Sequence, residues 1–145
     1  YSITPINFSG TISISSYIDA DVSNEDSNYD EKFWIDVEKQ INNNEAYVTV
    51  ETKKTAFQVC TGMKFTVVQD GQSIDMDVRN AQKEKYVACN VDVAGKDFEE
   101  IIIYKYAANL SSENHDKADL MSNCQKVVNK ITKALSNFSL AATKP

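Results

Sequence analysis

Met63-Lys64-Phe65-Thr66-Val67-Val68-Gln69-Asp70-Gly71-Gln72-Ser73-Ile74-Asp75-Met76-Asp77-Val78, residues 63–78, constrains what the rest of the chain can be. Asp-Gly suits a two-residue type I′ turn, because both central residues of that turn need positive φ. Such a turn sets a register in which Val67 faces Ile74, Phe65 faces Met76 and Met63 faces Val78. On the opposite face Lys64 meets Asp77 and Thr66 meets Asp75, a polar set. Turn chemistry and face pattern agree, so the stretch predicts a hairpin with one buried face.

The same alternation extends outwards. Residues 6–18 predict a strand with Phe8, Gly10, Ile12, Ile14, Ser16 and Ile18 on one side. A second hairpin is expected between 86–93 and 98–107 around Gly95-Lys96. Residues 28–42 carry two patterns: Phe33, Ile35 and Val37 alternate, while Tyr29, Phe33, Val37 and Ile41 recur every four residues. Asn28 followed by Glu31 resembles a capping box, and the stretch is read as a helix. Met121, Cys124, Val128, Ile131, Leu135 and Phe138 step by three and four, drawing one apolar stripe on a helix over about 112–138.

The sequence of 145 residues fits a single domain, 1–145, large enough to bury a core. A net charge of −6 argues against a nucleic-acid partner, which needs a basic footprint. No apolar run approaches the ~20 residues of a membrane span, the longest being Ile101–Tyr104, so a soluble domain is expected. Of the 15 basic residues only Arg79 is an arginine, the one candidate for a bidentate clamp. Cys60, Cys89 and Cys124 contain no close pair of the zinc or redox kind. Cys89 shares a strand face with Val87, Val91 and Val93, and Cys124 lies in the helix stripe. If the helix covers that face, a Cys89–Cys124 disulfide follows, and with it an exported protein.

No catalytic constellation is legible, and nothing calls for a cofactor. His115 is the sole histidine, and on one helix it would lie about 900° of rotation from Cys124, on the opposite face. Asp75 and Asp77 share a solvated strand face. Residues 19–30 space Asp19, Asp21, Ser23 and Asp30 like the ligands of a calcium loop, with Asn24 at the turn. Asp30 stands where such loops carry Glu, and an ordinary acidic loop matches the pattern equally well.

These features predict an α+β domain: a mostly antiparallel sheet of about six strands, one helix after the first strand, and a long C-terminal helix on the sheet. This order resembles helix-grip folds, and the resemblance implies an apolar ligand held between sheet and helix. The expected function is a non-enzymatic binding domain that recognises another protein, with Trp34, Tyr104, Tyr106 and the acidic loop as its surface. A carrier of a small hydrophobic ligand and a small hydrolase or isomerase are the alternatives. Replacing Gly71 by Val is expected to lower unfolding free energy by about 1 kcal/mol or more, read by urea denaturation, because a β-branched residue resists positive φ.

Overall fold

The computed structural model describes residues 1–23 and 31–142, with side chains as far as Ala134. Nine strands precede a single long helix among these residues: β1 (Ser2–Ile3), β2 (Gly10–Asp19), β3 (Trp34–Asn42), β4 (Glu45–Thr52), β5 (Gln58–Gln69), β6 (Gln72–Ser73), β7 (Arg79–Lys83), β8 (Tyr86–Gly95), β9 (Ile101–Ser111) and α1 (Leu120–Ala142). They form two antiparallel sheets. One has the order β1-β9-β5-β4-β3, with β6 against the end of β5, and the other is β2-β8-β7. The architecture is a two-sheet sandwich with one appended helix, which corrects the expected α+β fold.

Alternation explains the stacking. In the smaller sheet Ile12 pairs with Val93, Ile14 with Val91, Ser16 with Cys89 and Ile18 with Val87, giving a mostly apolar inner face. In the larger sheet Ala46, Val48 and Val50 of β4 and Met63, Phe65 and Val67 of β5 face it. Phe65, Met63, Val67, Val87 and Cys89 are fully buried there. Each large apolar side chain removed from water in this way contributes roughly 1.5–3 kcal/mol.

The Asp70-Gly71 turn forms as expected, with φ of 49° and 76°. Gln69 pairs with Gln72 and Val68 with Ser73, and the Ile74 N–H donates to the Val67 carbonyl. The ladder stops there, because β4 already holds that edge of β5 from Gln58 to Lys64. Residues 74–78 cross to the other sheet, and Ile74, Met76 and Val78 pack on the same core. The predicted faces are kept, while the Phe65–Met76 pairing is lost.

Two further expectations are overturned. The 28–42 helix is instead β3, hairpinned to β4 through Asn43, whose φ is 52°. A bulge between Asp36 and Glu38 shifts the phase, so the core-packing residues Trp34 and Ile41 fall seven apart, two helical turns in a sequence reading. The part of that stretch within 24–30 lies outside the described residues. The second hairpin is absent: β8 and β9 belong to different sheets, and residues 96–100 pass between them.

The helix lies on the outer face of the larger sheet, away from the valine face of β8. Leu120, Cys124 and Val128 pack on Tyr47, Cys60 and Leu110. This helix begins at Leu120 after a 3-10 turn (Lys117–Asp119), where the apolar stripe begins and later than the expected start near 112. No described helix is long and apolar enough to cross a membrane. Gly62 allows the close approach, since a Cβ there would sit 2.6 Å from the Tyr47 ring and 2.8 Å from Cys124 Sγ. At that point sheet and helix are too close for a ligand to lie between them. Gly62→Ala is expected to cost about 1–3 kcal/mol of stability by overpacking, measured by thermal and urea unfolding.

Candidate functional site

The residues singled out from the sequence do not assemble into one surface. Trp34 turns inwards and packs against the inter-sheet core. Tyr104 and Tyr106 pair with Thr66 and Lys64 on β5, and Lys64 Nζ donates to Asn129 of the helix at 3.2 Å. Those tyrosines therefore occupy the helix-bearing face, with the sheet between them and the indole.

What gathers at one end of the sandwich is an ion cluster beside an apolar cleft. The cleft, about 220 Å³, is lined by Ile18, Ala20, Val22, Trp34, Val50 and Val59, with Asp19 and Thr61 at its margin. Lys85, in the turn between β7 and β8, is buried and has φ of 54°. Its ammonium lies 2.7 Å from Asp21 and donates to the Trp34 carbonyl at 3.4 Å, while its backbone N–H donates to Asp36 Oδ2 at 3.2 Å. Lys32 also pairs with Asp21. Lys85 thus ties the smaller sheet to the edge strand of the larger one.

This arrangement uses Asp21 differently from the calcium reading. Hydrogen bonds from Lys32 first and Lys85 second hold its carboxyl at about 2. Asp19 Oδ1 accepts from the Asp21 N–H at 2.9 Å, Ser23 is exposed, and Asp30 lies outside the described residues. Among the described residues no group of three or more His, Cys, Asp or Glu side chains could hold a metal ion. Two lysines, which look like solvated charges in the sequence, occupy the place expected for a cation.

Among the described residues, the carboxyls whose titration departs from the ordinary are lowered. Glu51 is held down by Gln58 and Lys117, Asp92 by Ser13 and Arg79, and Glu99 by Lys96. Such groups stay ionised at neutral pH; a general acid needs the opposite shift.

The thiols follow the two cores. Cys89 faces the inter-sheet core and Cys124 the seam beneath the helix, so the larger sheet separates them and the expected disulfide is not made. Cys124 instead neighbours Cys60, whose sulfur partnership and burial push the Cys124 thiol far up; burial raises Cys89 to about 11. The expectation of export loses that support.

The family described as glycosyl hydrolase family 65, N-terminal domain, matches residues 1–141. A solved structure named "Putative kojibiose phosphorylase from human microbiome" superposes with a TM-score of 0.73 at 17% identity, covering 91% of this chain and 16% of that one. The chain spans about a sixth of that protein's length, and the likeness shows a shared fold. No curated protein matches the sequence. These findings overturn the expected protein-recognition domain and hydrophobic carrier, and point instead to a domain of a carbohydrate-active enzyme family.

Asp21 is lowered on folding, so its contribution to stability is present above its ordinary value of 3.8 and is lost as pH falls towards about 2. Asp21→Asn is expected to lower the melting temperature at pH 7 by roughly 5 °C, because the buried Lys85 ammonium loses its partner. The difference from the parent protein should shrink as pH falls through that window; a constant difference would contradict the ion-pair account.

Proposed function

Because the chain belongs to the glycosyl hydrolase family 65 N-terminal domains, we propose that it works as one domain of a larger carbohydrate-active enzyme that cleaves a kojibiose-type disaccharide with phosphate. The observation that carries this reading is the extent of the family match, residues 1–141, which leaves almost none of the chain outside it. The share of the similar phosphorylase that it covers, 16%, leaves ample room there for a separate catalytic region.

The chemistry supports a division of labour. In phosphorolysis a phosphate oxygen bonds to the anomeric carbon as the glycosidic C–O bond breaks, and the leaving oxygen takes a proton. That requires a carboxyl poised to donate a proton beside a cationic phosphate pocket. The lowered carboxyls described above are poor proton donors, and Arg79 is engaged by Asp92. The reacting groups are accordingly assigned to the rest of the polypeptide, and this domain to supporting it.

The test is phosphate-dependent release of glucose from kojibiose by the full-length protein, beside residues 1–145 alone. Release by the full-length protein only is the expected result. Turnover by residues 1–145 would overturn the division of labour, and absence of phosphate-dependent cleavage of kojibiose would overturn the assigned reaction.

A further inference from the structure

The outer face of the three-stranded sheet carries side chains that neither core uses. Alternation sends Ser13, Ser15 and Tyr17 of β2 outwards, opposite Asp92, Asn90 and Ala88 of β8. Asn90 and Ala88 lie in turn opposite Arg79 and Ala81 of β7. At one end Tyr17 and Tyr86 stack with ring centroids 5.7 Å apart, and Tyr17 is 51% exposed. At the other end Asp92 accepts hydrogen bonds from the Ser13 hydroxyl at 2.7 Å and the Arg79 guanidinium at 2.8 Å. The Asn90 amide donates to the Arg79 carbonyl at 3.2 Å. Ser15, Ala81 and Ala88 keep the middle low. A shallow hollow of about 250 Å³ runs along Ser13, Ser15, Asn90, Asp92 and Arg79. From Tyr17 to Ser13 the strand covers about 13 Å, enough for two linked hexoses.

We propose that this face is a binding subsite for a neutral, α-linked glucosaccharide, the class to which kojibiose belongs; the assignment of sugar rests on the function proposed above. A pyranose presents an apolar C–H face and a rim of hydroxyls. The exposed Tyr17 ring suits the first. The second needs donors and acceptors held in fixed planes. Arg79 spends one terminal nitrogen on Asp92 and is otherwise 58% exposed, so further donors remain available. Asp92 and Asn90 supply acceptor oxygens. The hydrogen bonds among Ser13, Asp92, Arg79 and Asn90 fix these groups before a ligand arrives, which reduces the ordering cost of binding.

Charge selects the ligand class. The Arg79 and Asp92 charges cancel, so the hollow favours an uncharged polyol over an ion. A phosphate approaching Arg79 would meet the Asp92 carboxylate 2.8 Å from the guanidinium. Lys83 Nζ sits 4.7 Å from the centroid of the Tyr86 ring and Lys105 Nζ 5.8 Å from that of Tyr17, so each ring of the stacked pair has an ammonium beside it, and Tyr17 still has 51% of its surface exposed.

The test is electrophoresis of the folded full-length protein through native gels containing soluble α-glucan. Retardation of the parent protein is expected. Tyr17→Ala and Arg79→Met should each raise the apparent dissociation constant by roughly 5-fold or more, whereas Tyr17→Phe, which keeps the ring, should retain most of the binding. Millimolar inorganic phosphate should not restore mobility. An unretarded parent protein, retardation that survives both losses, a Tyr17→Phe defect as large as that of Tyr17→Ala, or displacement by phosphate would each overturn the subsite. Cleavage of kojibiose is measured separately, so a protein that cleaves but runs unretarded rejects this face alone. A protein that is retarded but does not cleave rejects only the assigned reaction.

Discussion

Burial of β5 on both of its faces is the constraint on which the remaining structure depends. Met63, Phe65 and Val67 project into the space between the sheets, and Cys60 and Gly62 face the helix. Along its edges the strand bonds to β9 on one side and to β4 and then β6 on the other. Its side chains and its backbone are therefore satisfied by separate neighbours, and displacing any neighbour exposes either apolar surface or unpaired amide groups. The smaller sheet exists to cover one face of this strand and its companions, and α1 to cover the other.

This division explains why the polar chemistry sits where it does. The cores consume the apolar residues of alternate positions, so charged groups fall on the outer faces and at the sandwich ends. Lys85 is the exception, a buried ammonium whose neutralisation by Asp21 lets the turn between β7 and β8 approach β3. The ionised carboxylates of this domain serve as anchors for cations.

The sequence by itself determined the local grammar. Asp70-Gly71 demanded a turn with two positive φ values, and the alternation of Ile12, Ile14, Ser16 and Ile18 demanded a strand with one covered face. The step of Met121, Cys124 and Val128 demanded a helix with one buried stripe. Each depends on neighbours within a few residues, where sterics and periodicity act directly. Arg79 was visible as the lone arginine, and its role beside Asp92 was not.

Partnership between distant segments was decided only by the tertiary structure. Whether Cys89 or Cys60 would face Cys124 turned on which side of a sheet the helix chose, and both sides offered apolar residues. The bulge in β3 imitated helical spacing because a single inserted residue shifts the strand's phase. Tyr17 and Tyr86 meet because β2 pairs with β8 across about half of the chain, a choice set by matching apolar faces over ten residue pairs. Periodicity states which face of a segment seeks cover; the fold alone supplies the cover, since that free energy belongs to the packed pair and to neither segment separately.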